Sequence, residues 1–123
     1  SGAPIGAMCL AGIDAVNSKA EFSVGFLRGH GTRAVLEAIH YAFFYSFEIR
    51  GLRKLVFHTI AENHQALAML SRFGARREGN FHAELATAGG EFADMERHAL
   101  FRDDWIRIKT MLERLAPLAL THT

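Results

Sequence analysis

The sequence FLRGHGTRAVLEA, which runs from Phe26 to Ala38, decides how the chain folds. It combines the apolar end of a strand, a turn with two glycines, and the start of a helix. Glycine permits backbone conformations and close approaches that a Cβ would block. The first amides of a helix lack partners within it and lie at its positive end, so a turn that directs them to one point can hold a phosphate. An ordinary strand-to-helix turn explains the same residues, and the rest of the chain must separate the two.

Two strands are predicted before this turn. Residues 4–13 are mostly apolar, and residues 14–19 are polar enough for a hairpin connection. From Ala20 to Leu27 apolar side chains alternate with other residues, which is the period of a strand. Phe22 and Glu21 therefore lie on opposite faces of the second strand.

A long helix and a third strand are predicted after the turn. From Thr32 to Arg50 the apolar residues recur at steps of three and four, with Thr32 as a plausible N-cap and Gly51 just past the end. Residues 54–60 are rich in β-branched and aromatic side chains. The order strand, long helix, strand predicts a parallel crossover with the third strand deep in the sheet.

The remaining residues predict a helix, two paired strands and a last helix. The second helix opens at Glu62 or Asn63 and ends at Gly74, and strands follow over residues 76–87 and 91–100. The last helix is predicted to begin at a cap from Asp103 or Asp104 and to stop near Pro117. The fold class is thus α/β (α+β): one domain, residues 1–123, with a mixed, mostly antiparallel sheet and one parallel strand–helix–strand crossover.

The composition limits the possible functions. The formal net charge is +1, so no global field favours nucleic acid or an anionic membrane, and neither partner is predicted. No apolar stretch would span a bilayer and no secretory signal is present, which makes the cytoplasm the default location. The single cysteine, Cys9, lies in an apolar run and is predicted to be a buried, inert thiol. The seven histidines show no metal-ligand spacing, so no metal is predicted.

Short matches in a fixed order run through residues 4–105 and point to a family. They are Ile5-Gly6, Leu10, Ile13-Asp14, residues 17–21, Gly31, Glu37-Ala38, Ala42-Phe43, residues 51–54, Glu62-Asn63, Ala66, Leu70, residues 73–75, residues 77–79 and residues 101–105. In this order and spacing the chain resembles the GNAT superfamily of N-acetyltransferases, and most of all its branch of ribosomal-protein N-terminal acetyltransferases.

The resemblance implies a coenzyme A site. Relatives hold the diphosphate of coenzyme A on the turn after a bent strand, and they hold the pantetheine arm between that strand and the next parallel one. The implied cofactor-binding residues here are Phe26, Leu27, Arg28, Gly29, His30, Gly31, Thr32, Arg33, Ala34 and Asn63. Asn63 is equally explained as a plain helix N-cap, and the two roles are compatible.

The resemblance also implies direct transfer of an acetyl group from acetyl-CoA to a primary amine, on a small molecule or a protein N-terminus. Such a reaction needs a proton acceptor for the ammonium group and an amide to bind the developing oxyanion, here from residues 24–26. Glu21 is the first candidate base, and Glu84, close to His82 in the sequence, is the second. Either glutamate could instead be a solvated strand residue.

The chain departs from the family pattern in three places. Arg33 stands where relatives have a small residue in the phosphate turn, and it would crowd that turn or contact a phosphate. Ala66 and Leu70 stand where relatives often have a hydroxyl that can protonate the leaving thiolate. Third, the strand and two helices with which relatives begin have no counterpart, so the sequence is either a fragment or a natural short form.

Without those elements, an exposed sheet edge and an uncovered apolar face are expected. Both favour a homodimer, by strand exchange or edge pairing. The alternative to an enzyme is a truncated or degenerate domain that binds coenzyme A, or only assembles, without catalysis.

Overall fold

A computed structural model describes residues 6–26 and 33–116, with the side chains of residues 9–23 and 33–116. The elements follow the predicted order. The strands are β1 Gly6–Asp14, β2 Lys19–Phe26, β3 Lys54–Ile60, β4 Arg76–Ala86 and β5 Phe92–Phe101. The helices are α1 Arg33–Phe44, α2 His64–Arg72 and α3 Trp105–Leu115. Thr32, the predicted cap of the first helix, lies outside the described residues.

The strands form one five-stranded sheet in the order β1-β2-β3-β5-β4. The pair β2–β3 is parallel and the other three pairs are antiparallel. This confirms the predicted fold class, a mixed and mostly antiparallel sheet with one parallel crossover through α1. It also confirms β3 as the central strand.

The core lies between one face of the sheet and the helices. Alternate residues of β2 and β3, among them Phe22 and Phe57, meet apolar side chains of α1, α2 and α3 in one cluster. Phe43 of α1 stands at its centre, with its ring 5.5 Å from that of Phe22 and 5.5 Å from that of Phe73, in edge-to-face geometry. Burying a phenylalanine contributes about 1.5–3 kcal/mol, so these rings account for much of the stability.

The prediction for the first helix is wrong in its last turn, because Tyr45–Ile49 is a π-helical turn and not part of the α-helix. The hydroxyl of Ser46 donates to the carbonyl oxygen of Ala42 at 2.8 Å, a bond that often bends helices. Gly51 follows with φ +64°, which confirms it as the residue just past the helix end.

The last helix begins without the side-chain cap that was predicted from Asp103 or Asp104. Asp104 occupies the N-cap position with φ −85° and ψ −10°, and its side chain makes no capping hydrogen bond. A short 3-10 turn, Arg102–Asp104, leads into the helix instead. A capping side chain needs an extended backbone to reach the first amides, and the near-helical angles of Asp104 do not supply it.

The prediction for Cys9 is wrong, since its side chain is exposed. Its strand, β1, is at the edge of the described sheet, and its ladder partner Ser23 is exposed too. An open apolar groove beside it is bordered by Tyr41 and Tyr45. Burial of this thiol therefore depended on strand order, which the local sequence does not encode.

The expectation of an uncovered apolar face is wrong for the centre of the sheet. Val56 and Ala99 lie on the face opposite the core, yet they are 5% and 0% exposed. Lys54 donates to Glu78 at 2.8 Å and Arg97 donates to Glu78 at 3.0 Å, and these long side chains cover that face. In the described part of the chain, no helix is long and apolar enough to cross a membrane.

Candidate active site

The parallel strands β2 and β3 pair over three residues and then part. Their paired residues are Lys19 with Lys54, Ala20 with Leu55 and Glu21 with Val56. Beyond Glu21, β2 continues against β1, and beyond Val56, β3 continues against β5. The facing edges of residues 22–26 and 57–60 thus have no ladder partner in the described sheet, which is the split that the family resemblance implied. Unpaired backbone amides of this kind need a partner from water or a ligand.

A cavity of about 240 Å³ occupies the split. Its walls come from the diverging ends of β2 and β3 and from the apolar sides of α1 and α2. Ser23, His58, Thr59 and Asn63 are its polar lining residues. A largely apolar recess with a few polar groups is the usual form of a small-molecule site.

Asn63 stands where α2 meets this cavity. Its side-chain oxygen accepts the backbone N–H of Ala66 at 3.2 Å, which confirms the predicted N-cap. Ala66 and Leu70 also line the cavity, so the wall formed by α2 presents methyl groups at the two positions where relatives often have a hydroxyl. The nearest hydroxyls on the cavity wall belong to Ser23 and Thr59, on the strands.

Glu21 lies at the point where the strands part, and its partner was not predicted. Its carboxylate oxygen Oε2 hydrogen-bonds with Nδ1 of His58 on β3. The ring of Phe81 from β4 lies against the imidazole, with centroids 5.9 Å apart and planes at 33°. His58 is two residues past Val56, so the alternation of β3 places it on the same face as Glu21. That inference needs the register between two strands distant in sequence, which is why the sequence did not reveal it.

Glu84, the second candidate base, lies elsewhere. It is exposed, in a segment of β4 between Phe81 and Leu85 that leaves the ladder with β5. Within the described residues no hydrogen bond or ion pair joins it to Glu21 or His58. His82, its near neighbour in the sequence, has its Nδ1 atom 3.2 Å from the carboxylate of Asp94.

Asp94 fixes this irregular segment of β4. Its carboxylate accepts the backbone N–H of Ala83 at 2.8 Å and the side-chain amide of Asn80 at 3.1 Å. These bonds, the backbone one foremost, hold the pKa of Asp94 below its ordinary value. Because Phe81 lies within the same segment, Asp94 helps to set the ring that contacts His58.

The start of α1 is only partly described. Phe26 ends β2, and α1 opens at Arg33. The residues between them lie outside the described part of the chain: Leu27, Arg28, Gly29, His30, Gly31 and Thr32. The guanidinium of Arg33 donates to Glu37 at 3.2 Å along its own helix, and both side chains are well exposed. Ala34 is exposed beside it. The role of this turn in binding phosphate therefore stays a prediction.

No group of three or more potential metal ligands forms among residues 6–26 and 33–116. The chemistry that the described site can supply is proton transfer by Glu21 and His58, beside a recess that can admit a chain-like ligand.

Comparisons with known proteins identify the fold through solved structures alone. No protein-family model matches the chain, and no curated protein sequence matches it. A GCN5-related N-acetyltransferase from Brucella melitensis is similar with a TM-score of 0.79 and 26% identity, over 92% of this chain and 52% of its own. A variant of the spermidine N-acetyltransferase SpeG from Vibrio cholerae has a TM-score of 0.73 and 26% identity, over 83% and 59%.

A third structure, from T. thermophilus and provisionally named an acetyltransferase, has a TM-score of 0.78 and 22% identity, over 89% and 59%. The chain thus spans between about half and three fifths of the length of these structures. They confirm the GNAT acetyltransferase fold and support the resemblance to that superfamily. They do not distinguish its branches.

Proposed function

We propose that the chain is an N-acetyltransferase that moves the acetyl group of acetyl-CoA to a primary amine, on a small molecule or a protein N-terminus. The observation that carries this proposal is the split between β2 and β3, with a cavity inside it and Glu21 where the two strands part. The acetyltransferase names of the similar structures support the same reaction class.

The residues around the split suit acetyl-CoA. The backbone groups on the unpaired edges of β2 and β3 would hydrogen-bond a pantetheine arm. The apolar cavity walls from α1 and α2 would exclude water from it. Asn63 and the turn from Phe26 to Ala34 would contact the nucleotide end, where the helix start favours phosphate. The co-substrate itself supplies an activated thioester.

The chain's own residues would orient the amine, remove its proton and bind the oxyanion. A backbone amide of residues 24–26 would donate to the thioester oxygen. Glu21 is partly exposed and hydrogen-bonded to His58 of the cavity wall, and this pair would accept the proton of the ammonium group. Ala66 and Leu70 offer no proton donor, and a thiolate can leave without one because thiols are modest bases.

Two kinds of acceptor amine are the first to test. Spermidine is the acceptor named for one similar protein, so a polyamine is the first small amine to test. A peptide with a free N-terminus is the matching test for the branch of ribosomal-protein acetyltransferases.

We also propose a homodimer through β1, because that strand leaves an exposed edge in the described sheet.

The alternative function is coenzyme A binding without catalysis. It is favoured by Arg33 in the implied phosphate turn and by the lack of a hydroxyl at Ala66 and Leu70. Thermal unfolding with acetyl-CoA, followed by a thiol-release assay with spermidine and a short peptide, separates the possibilities. A ligand at a hundred times its Kd adds about 2.7 kcal/mol, which raises Tm by several degrees.

A rise in Tm with thiol release supports the enzyme, and a rise without release for either amine supports the binding domain. An unchanged Tm at millimolar acetyl-CoA contradicts both.

A further inference from the structure

We propose that His58 is the group that takes the proton from the amine, and that Glu21 acts by holding the imidazole of His58. This inference rests on the proposed acetyl transfer and assigns Glu21 a different role from that of a direct base. It is carried by the position of His58 in the split, its bond to Glu21, and the contacts that fix its ring.

The position favours His58 over Glu21 as the group that meets the substrate. Glu21 and Val56 are the last paired residues before the strands part, and His58 is the next residue of β3 on that face. His58 lines the cavity and Glu21 does not. A ligand in the split therefore reaches the imidazole before it reaches the carboxylate.

The hydrogen bond defines which ring nitrogen is free. A carboxylate only accepts, so the bond to Glu21 assigns the proton of neutral His58 to Nδ1. Nε2 then keeps its lone pair and can accept a proton. A carboxylate that sets the tautomer of a histidine and stabilises its cation is the arrangement that makes histidine an effective base.

Groups from three strands surround the imidazole. Glu21 of β2 binds one side, and the ring of Phe81 from β4 lies 5.9 Å away. Arg97 of β5 is directly opposite His58 in the ladder, and its guanidinium donates to Glu78 at 3.0 Å. The charged groups that face the imidazole are therefore Glu21 and Arg97, and Arg97 is paired with Glu78.

The proton and electron steps balance without another reactant. Nε2 of His58 takes one proton from the ammonium group, and water later removes it. The freed lone pair of the amine forms a C–N bond to the acetyl carbon, and the C–S bond breaks with its electrons on sulfur. The second proton of the nitrogen ends on the thiolate. Each turnover gives an amide, a thiol and one released proton.

The test compares His58→Gln and Glu21→Gln by the pH dependence of kcat/KM, with acetyl-CoA and whichever amine the wild type acetylates. The variant His58→Gln should lose about a hundredfold or more in kcat/KM and lose the acid limb of the profile. Glu21→Gln should be slower than the wild type but keep that limb. The opposite pattern, a limb lost in Glu21→Gln and kept in His58→Gln, overturns the proposal.

Matched controls are His82→Gln, at a side chain that is 91% exposed, and Glu113→Gln on the exposed face of α3. Both should keep the wild-type profile. Each variant is also checked for its rise in Tm with acetyl-CoA, so that a loss of binding is not taken for a loss of proton transfer.

Nitrogen NMR of the histidine rings is independent of activity. It should find the proton of neutral His58 on Nδ1 in the wild type, and a mixture of tautomers in Glu21→Gln. A proton on Nε2 in the wild type overturns the proposal. If the wild type acetylates no amine, the proposed function is overturned, and so is the role of His58 as proton acceptor. The tautomer found by NMR still tests separately whether Glu21 holds the imidazole ring of His58.

Discussion

The carboxylate of Asp94 accepts the backbone N–H of Ala83 at 2.8 Å, and Ala83 has the left-handed conformation with φ +49°. An alanine in that region is strained by roughly 1 kcal/mol, because its Cβ crowds the following carbonyl. The bond from Asp94 therefore holds a strained residue in the segment of β4 that carries Phe81. Strain of this kind persists where the surrounding bonds enforce it.

The variant Ala83→Gly should raise the free energy of unfolding by about 0.5–1 kcal/mol, since glycine adopts a positive φ without the Cβ clash. Urea unfolding followed by circular dichroism measures the change. Ala86→Gly, in the regular part of the same strand, should lower stability by a similar amount and serves as the control. Equal losses in both variants would contradict the strain at Ala83.

The variant Phe43→Ala should lower the free energy of unfolding by about 3–5 kcal/mol, because it leaves a cavity among the rings of the core. Phe43 is 1% exposed and contacts the rings of Phe22 and Phe73. Tyr41→Ala on the exposed side of the same helix should cost far less and controls for the loss of an aromatic residue. The two variants are compared by their urea unfolding midpoints. Similar midpoints for Phe43→Ala and Tyr41→Ala would contradict a core centred on Phe43.

The element order could be predicted from the sequence because the signals are local. The period of two in residues 20–27 and the period of three to four after residue 32 define a strand and a helix wherever they occur. Gly51 and Gly74, at φ +64° and +79°, mark the helix ends, as their type and position predicted. The split between β2 and β3 was predicted from the family resemblance and not from the residues alone.

The partners across strands could not be predicted, because they depend on register and strand order. Glu21 was selected from its face of β2, but His58 becomes its neighbour only once Glu21 is paired with Val56. The same limit explains Cys9, whose exposed side chain lies on the edge strand β1. Glu84 was selected close to His82 in the sequence, and His82 contacts Asp94 of β5 at the point where β4 leaves its ladder.

In the variant Glu78→Gln, the free energy of unfolding should depend less on pH in the acid range. Lys54 foremost, and then Arg97, hold the pKa of Glu78 below its ordinary value of 4.5. The folded chain therefore binds this proton less readily than the unfolded chain. The stabilisation is complete above about pH 4.5 and is lost as the pH falls through the lower folded-state pKa.

At pH 7 the wild type should exceed Glu78→Gln by about 0.5–1 kcal/mol, and the difference should shrink between pH 4.5 and more acid values. Urea unfolding at a series of pH values measures it, with Glu113→Gln as the exposed control. A difference that stays constant down to the most acid pH would show that the carboxylate charge is not the cause.

The variant Ala66→Phe should block the split while leaving the fold intact. Ala66 lines the cavity from α2, and the cavity of about 240 Å³ gives a phenyl ring space that a filled core would not. Stability should stay within about 1 kcal/mol of the wild type, because the ring buries apolar area in an existing recess. The apparent Kd for acetyl-CoA should weaken at least tenfold, and the rise in Tm at a fixed acetyl-CoA concentration should shrink accordingly.

Ala68→Phe is the matched control, because Ala68 is on the same helix but does not line this cavity. It should bind acetyl-CoA as the wild type does. Isothermal titration of the two variants measures the difference. Full binding by a stably folded Ala66→Phe would place the pantetheine arm outside the split, and both the proton-accepting role of His58 and the proposed site would then have to be abandoned.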